Sequence, residues 1–368
     1  MHQSKQVAAF QLEAVHEEIA AGFFKVFDKL GMGSQAYFNE RISASRGNFY
    51  DTIAFESLDI DFISLTSRPE WAELREKVRQ QNPDVLYFNT LQRQGQAMLA
   101  EALDKPVLGV IHNPTLFKNN AACRELAQTG KLDVFGLSPH VCKSIERAIP
   151  ELQGRVHLHN PYVWQAFEDD PYDASADVLD IVIPGAVSFT NRDFAGLLSH
   201  LTRTQRPAMR PVKFSILAGG PDRARLEEIV AAEKLDHLFD FAALDPTSLR
   251  VPQSVYLRRL SRCHAVLPLL PAGRTDYLRS KISTGIVAAI GVGKPILAPP
   301  NVADAYGITI VELPDDRPFD ISEANLDPDN LTANRREILE TRDAGLAHNE
   351  QILRKVLSHS LKHNFNMV

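Results

Sequence analysis

The residues best equipped for chemistry gather in the last third of the chain. Between Cys263 and Pro300 the order is apolar run, loop, apolar helical pattern, tight turn and apolar run. The loop carries Arg274, Tyr277, Arg279 and Lys281, and the helical pattern opens with Ser283-Thr284-Gly285. A loop leaving the carboxyl end of a parallel strand is where open α/β sheets bind ligands. The first N–H groups of a helix have no partner inside it and carry its positive dipole end, which suits a diphosphate. Gly285 would let a phosphate approach the backbone closely, and Lys281 would add an ammonium. The same residues also fit plain structure, with Ser283 as an N-cap, Gly285 as a close helix contact and Lys281 solvated.

A second candidate turn runs from Ile183 to Asp193. Gly185 stands at a strand exit and Arg192 at a helix start. A guanidinium fork matches phosphate geometry, although Arg192 could equally pair with Asp193. The full G-x-G-x-x-G pattern is absent, so this turn is weak alone. A third turn, with Gly219 in Leu217-Ala218-Gly219-Gly220-Pro221-Asp222, also reads as ordinary turn chemistry before a helix. In the first half, His16 and His112 each follow an apolar run. Imidazole moves protons at neutral pH and hydrogen-bonds hydroxyls. Glu13 and Glu17, beside His16, suit sugar hydroxyls or a helix N-terminus. Asp59-Ile60-Asp61 is the nearest thing to a metal-holding acidic pair, and it reads as the start of a strand. No metal is expected.

These residues need elements to carry them. Apolar runs at 7–10, 35–38, 60–65, 85–88, 107–111 and 134–137 alternate with helical patterns at 16–30, 69–81, 92–103 and 120–128. The runs show little polar alternation, as in parallel strands covered on both faces. Pro69 suits a first helical turn. An acidic, proline-bearing stretch at 168–171 reads as a linker. The rhythm then restarts, with strands at 179–183, 213–217, 238–241, 265–270 and 295–298 and helices at 191–202, 221–232, 252–262 and 283–290. Such alternation predicts parallel α/β units. Residues 331–362 form a long, charged helical pattern with apolar positions at Leu339, Leu346, Ile352 and Leu361.

Length and charge narrow the function classes. A chain of 368 residues exceeds the roughly 250–300 that one core supports. The predicted architecture is α/β, with domains at 1–165 and 166–330 and a helical tail at 331–368 that packs back across both. A net charge of −6 weighs against nucleic-acid binding. The first nine residues lack the basic start and apolar core of a secretion signal, and no apolar run reaches the ~20 residues of a membrane span. The expected location is cytoplasmic. The three cysteines, far apart, are expected as reduced thiols. Arg203, Arg206, Arg210 and Lys213 form a basic stretch, read either as a solvated loop or as peripheral contact with the inner face of a membrane.

The second half resembles the nucleotide-binding half of GT-B glycosyltransferases, above all the bacterial group acting in polysaccharide assembly. The resemblance rests on the glycine turn leading to Asn191-Arg192-Asp193, on Leu217 to Pro221, on Tyr256 through Leu267-Pro268, and on Ala289 to Pro295. The segment Leu158-His159-Asn160-Pro161-Tyr162 is similar to that family's interdomain connection. It implies two facing Rossmann-like domains with a cleft between them. It also implies a hexosyltransferase-like enzyme with no permanently bound cofactor, a nucleotide-diphosphate sugar as donor and a saccharide or lipid-linked acceptor. By the same resemblance, Gly185, Arg192 and Ser283 to Gly285 lie at the donor diphosphate and residues from Phe241 to Leu244 flank the base. His112 matches a histidine that retaining members use against the donor sugar. The base of inverting members would be His16. Many retaining members carry a glutamate pair where this chain has Arg274 to Lys281, with Tyr277 and Lys281 standing instead. A nucleotide-sugar epimerase of the same fold and a non-catalytic sugar- or nucleotide-binding partner protein are the alternatives.

Overall fold

The computed structural model describes residues 5–13, 16–42, 50, 53–163, 172–203, 210–271, 273–314, 319–321 and 326–363. The predicted linker at 168–171 and Arg206 lie outside the described residues. The first unit alternates β1 (Gln6–Gln11), α1 (Glu17–Lys29), β2 (Gly33–Asn39), β3 (Leu58–Ile63), α2 (Arg68–Gln81), β4 (Val85–Phe88), α3 (Gln94–Leu103) and β5 (Val107–Val110). It continues with α4 (Pro114–Asn119), α5 (Ala121–Gln128), β6 (Leu132–Gly136), α6 (Pro139–Ala148) and β7 (Val156–Leu158). The seven strands pair in the order β3-β2-β1-β4-β5-β6-β7, all parallel. Winding reverses between β1 and β4, so the loops after β1, β4 and β5 open a crevice at the sheet's carboxyl edge. The acidic run at 59–61 lies inside β3, where Asp61 pairs with Lys77 at 2.7 Å.

Local chemistry fixes these elements. Ser67 and Glu70 form a reciprocal capping box at the start of α2, with Pro69 in the first turn. The apolar face of α1, with Phe23, Phe24 and Phe27, is buried against Tyr87, Phe38 and Phe135.

The second unit contains β8 (Leu179–Ile183), α7 (Phe194–Arg203), β9 (Val212–Ile216), α8 (Arg223–Ala232), β10 (Phe239–Phe241), α9 (Gln253–Arg262), β11 (Ala265–Val266), α10 (Thr284–Gly291), β12 (Leu297–Ala298), α11 (Pro300–Tyr306) and β13 (Val311–Glu312). The parallel order β10-β9-β8-β11 continues to β12 and β13 through a bridge between Val266 and Ile296. This unit also reverses winding, between β8 and β11.

Two expected bounds shift for a readable reason. The strand expected at 265–270 ends at Val266. Beyond it the Pro268 carbonyl accepts from Arg192 at 2.6 Å and the Leu269 carbonyl from the Asp193 amide at 3.0 Å. Backbone groups that would continue the ladder therefore anchor the start of α7. Likewise α7 begins at Phe194 rather than 191, because the amides of Asn191 and Arg192 turn back onto the Ser188 carbonyl.

A 36-residue helix, α12 (Pro328–His363), closes the chain. It packs on α1 and β7 of the first unit and on α10 and β13 of the second. Its Asn349 holds the connection between units by a reciprocal pair of 2.7 Å bonds with the Asn160 backbone. No helix among the described residues is long and apolar enough to cross a membrane.

Candidate functional site

The carboxyl edges of the two sheets face each other across a cleft of about 300 Å³. His16, Gln92, Ile111, His112 and Asn113 line it from the first unit, and Arg192, Tyr277, Lys281, Ile282 and Thr284 from the second. Residues more than 250 positions apart in sequence thus share one space, because each follows a strand end at or beside a winding reversal.

On the first wall His16 precedes α1 in the left-handed backbone region, with φ 71°. A non-glycine residue pays roughly 1–2 kcal/mol there. The surroundings enforce it. Its carbonyl accepts from Asn89 Nδ2 at 2.7 Å, and Asn89 is itself buried and bonded to Tyr87 Oη at 2.7 Å and to Gln11. The His16 ring stacks on the His112 ring, 4.4 Å between centroids and 13° between planes. His112 Nε2 lies 2.8 Å from the Asn89 carbonyl, so this nitrogen carries the proton and Nδ1 is left as an acceptor. Burial, and then the neighbouring His16, push His112 down to about 3 against the pull of the Asn89 carbonyl. The ring is therefore neutral at physiological pH. Gln92 Oε1 accepts from the Asn113 amide at 3.0 Å, and Asn113 Oδ1 caps α4.

The second wall is cationic. Arg192 is only 5% exposed. Asp193, which could have neutralised it, instead caps the Gly196 amide at 2.8 Å, and no carboxylate among the described residues pairs with Arg192. Burial pushes its guanidinium down from its ordinary value, but an arginine stays charged. Gly185, at φ 88°, lies beneath it: a Cβ there would stand 2.4 Å from Arg192 Nη2. Lys281 Nζ is bonded to Asp276 at 3.0 Å, and Asp276 also holds Arg274 at 2.9 Å. Burial raises the Asp276 carboxyl, but the hydrogen bonds from Lys281 and Arg274 outweigh it and leave the group below the usual range. The Arg274 guanidinium lies over the Tyr277 ring at 5.6 Å.

Thr284 opens α10 at the cleft, and its amide and that of Gly285 donate to no group among the described residues. The Ser283 amide already donates to Tyr306 Oη at 2.7 Å and the residue is fully buried, so this amide is not open to a ligand, while its Oγ has no hydrogen-bond partner among the described residues. Gly285 has a packing reason of its own: a Cβ would fall 2.6 Å from Pro184 Cγ. Gly219, Phe241 and Leu244 stand outside the cleft wall. A Cβ on Gly219 would meet the Leu249 carbonyl at 2.1 Å, with Leu244 behind it. The Phe241 ring carries the Arg223 guanidinium at 4.6 Å. Arg210, from the basic stretch, is engaged by the carbonyls of Ala174, Ala176 and Leu326. No group of three His, Cys, Asp or Glu suited to a metal occurs among the described residues.

Gln92 and Asn113 are cleft residues that the sequence reading passed over. Their signals were available: each follows a strand end, and Asn113-Pro114 is an N-cap and first-turn pair.

No protein-family profile and no curated protein sequence matches the chain. Solved structures do. A glycosyltransferase from Rickettsia africae superposes with a TM-score of 0.63 at 13% identity, covering 97% of this chain and 99% of that one. The HepE protein of Anabaena in complex with UDP and glucose gives 0.63 at 11% identity, over 96% of this chain and 100% of the other. The UDP-GlcNAc 2-epimerase of Neisseria meningitidis bound to UDP-GlcNAc gives 0.53 at 12% identity, over 96% and 100%. Two Rossmann-like units facing across a cleft, with a C-terminal helix returning over both, give this chain the GT-B glycosyltransferase fold.

Proposed function

We propose that this chain is a glycosyltransferase that moves a sugar from a nucleotide-diphosphate donor to a saccharide or lipid-linked acceptor. One observation carries the reading: a neutral His112 beside His16 from one unit, and a buried guanidinium with no carboxylate partner among the described residues and open helix-start N–H groups from the other, converge on the same cleft. Glycosyl transfer needs both. As the bond to the leaving diphosphate breaks, negative charge grows on its oxygens, and Arg192, Lys281 and the Thr284 and Gly285 amides would receive it. The attacking hydroxyl must lose a proton. His112, held neutral down to about pH 3, is a poor base and suits a hydrogen bond to a donor hydroxyl. The base role falls to His16. Gly219, Phe241 and Leu244, beyond the cleft wall, would take the nucleoside end.

Titration calorimetry with nucleoside diphosphates tests the donor site, and UDP is the first probe because it occupies the Anabaena neighbour. Binding at micromolar Kd is expected. No binding by any nucleoside diphosphate at millimolar concentration would overturn the reading. Incubation of a UDP-sugar without acceptor separates transfer from isomerisation, since an isomerised sugar would replace this proposal with the epimerase one.

A further inference from the structure

Gln92 and Asn113 both line the cleft from the first unit, and hydrogen bonding fixes which way each side-chain amide faces. Gln92 Oε1 accepts from the Asn113 main-chain N–H at 3.0 Å. An NH2 group cannot accept that bond, so the oxygen must lie there. Asn113 Oδ1 accepts from the Thr115 and Leu116 N–H groups at 3.1 and 3.2 Å, as the cap of α4. Both amide oxygens are therefore committed to the backbone. The two NH2 groups have no hydrogen-bond partner among the described residues, and neither nitrogen is buried. Directly before Asn113 stands His112, whose Nε2 proton is held by the Asn89 carbonyl at 2.8 Å, so its Nδ1 presents a lone pair. This wall thus combines two NH2 donors with one ring acceptor. Arg93, next to Gln92 in sequence, is paired with Glu13 and does not line the cleft.

Such a set discriminates between ligand oxygens. A hydroxyl both donates and accepts, so it can satisfy a ring lone pair and an NH2 group together. An ionised phosphate or carboxylate has no proton for Nδ1 and meets no cation on this wall, which leaves polar groups unpaired on both sides. We propose that Gln92 and Asn113 are specificity-determining residues whose NH2 groups donate to hydroxyl oxygens of an uncharged sugar seated on the first wall. The proposal rests on the glycosyltransferase reading of the cleft. The first wall then reads the sugar, and the charge of the nucleotide is left to the second. A donor sugar and an acceptor saccharide present the same hydroxyl chemistry, and the two are separated by experiment.

Two substitutions remove the NH2 groups without removing the oxygens on which the backbone depends. Asn113→Ser keeps a helix-capping oxygen, since serine caps about as well as asparagine. Gln92→Glu keeps an acceptor for the Asn113 N–H. Both variants should melt close to the unmodified protein. The first measurement is proton–nitrogen NMR of the side-chain amides, each variant assigning the signal that it lacks. The ligands are UDP, then UDP-glucose, UDP-galactose and UDP-N-acetylglucosamine, and the methyl glycosides of the same three sugars with and without UDP. Both NH2 signals should move with at least one sugar-bearing ligand and move little with UDP alone. Signals that respond to no sugar, or equally to UDP alone, would overturn the proposal. The second measurement is calorimetry of the best-binding UDP-sugar against UDP. The added charge of Gln92→Glu affects both nucleotides, so the readout is their ratio. If the donor sugar lies on the wall, each variant should lose roughly fivefold in UDP-sugar affinity relative to UDP. If the acceptor lies there, that ratio should hold while glycoside binding weakens by a similar factor. Variants that change neither would overturn the proposal. If UDP failed to bind at all, the donor-site reading would fall, and the glycosides without nucleotide would still decide whether the two amides read a sugar.

Discussion

The two walls of the cleft solve opposite electrostatic problems. The first-unit wall holds an imidazole able to carry charge and keeps it neutral. His112 is pushed down to about 3 by burial and by His16, and its remaining neighbours, Gln92 and Asn113, are uncharged. The second-unit wall buries a cation and leaves it charged, because a guanidinium cannot shed its proton as an imidazole can. The contrast arises from residue type. A proton-accepting wall and an anion-stabilising wall would each be spoiled by the other's groups nearby, since a cation beside His16 would lower its basicity. Placing them on separate units lets the connection at Asn160 and the helix α12 set how closely they meet.

Acid is the bluntest way to break that arrangement, and its effect is expected to be the largest. His112 and His159 are both pushed from 6.5 to about 3, chiefly by burial. Unfolded, each ring takes up a proton near 6.5. Folded, each resists protonation until about 3. Between those values the unfolded chain binds more protons, so stability is full above pH 6.5 and falls as the pH drops toward 3. The melting temperature should fall by about 10 °C between pH 7 and pH 5. His159→Phe, which replaces a ring stacked on Phe23 at 3.7 Å, should flatten part of that slope. A melting temperature independent of pH over this range would show that neither imidazole is held neutral.

Next comes turnover. His16→Ala should cost about 10²- to 10⁴-fold in kcat, the usual span for a lost proton-transfer group, while UDP affinity should stay within about twofold, since the proposed phosphate contacts are all on the other wall. His112→Ala should act on the KM of the donor sugar more than on UDP. Folded His16→Ala protein that keeps most of its turnover would remove the base assignment.

Arg192→Leu should do the reverse. UDP affinity should drop about 10- to 150-fold, from a lost charge-assisted bond of about 1.5–3 kcal/mol. The melting temperature should change little, since the relieved desolvation of a buried cation without a carboxylate partner is offset by the Pro268 carbonyl losing its donor. Gly185→Ala should weaken UDP binding too, because its methyl would displace the guanidinium. Unchanged UDP affinity in Arg192→Leu would move the phosphates elsewhere.

The alternation of apolar runs and amphipathic stretches made the parallel α/β plan legible, and His16, His112, Arg192, Tyr277, Lys281 and Thr284, all read beyond strand ends, line one cleft. What the pattern could not carry was hydrogen-bond bookkeeping. Ser283 looked like a helix-start donor, but its amide answers a phenol 23 residues later. Gly285 reads the same in sequence whether it faces phosphate or Pro184. The short helices α4, α6 and α11 begin at Pro114, Pro139 and Pro300. Those starts were signalled by a preceding Asn, Ser or Pro, yet lacked the length for a periodic pattern. His140, where the first unit meets the second, gave no signal at all, because its partners are main-chain carbonyls of the other unit.

The finest distinction lies within the cationic wall, between Arg192 and Lys281. The Lys281 side chain is 42% exposed and already has an anion, Asp276, at 3.0 Å. A phosphate arriving there must compete with that carboxylate and with water. Exposed ion pairs contribute about 0–1 kcal/mol, so Lys281→Ala should weaken UDP binding only about two- to fivefold. The effect should shrink further at high salt, because solvent-exposed charges are screened within about 10 Å at 0.1 M. Arg192, 5% exposed, should show little salt dependence. Asp276→Asn should act in the opposite sense, tightening UDP binding by releasing the ammonium. Calorimetry of the three variants at low and high salt makes the comparison. If Lys281→Ala lost as much affinity as Arg192→Leu, with no salt dependence, the ammonium would have to leave Asp276 and be enclosed with the diphosphate. The contrast between the two cations would then belong to the open cleft alone, with closure converting an exposed surface lysine into a second buried contact.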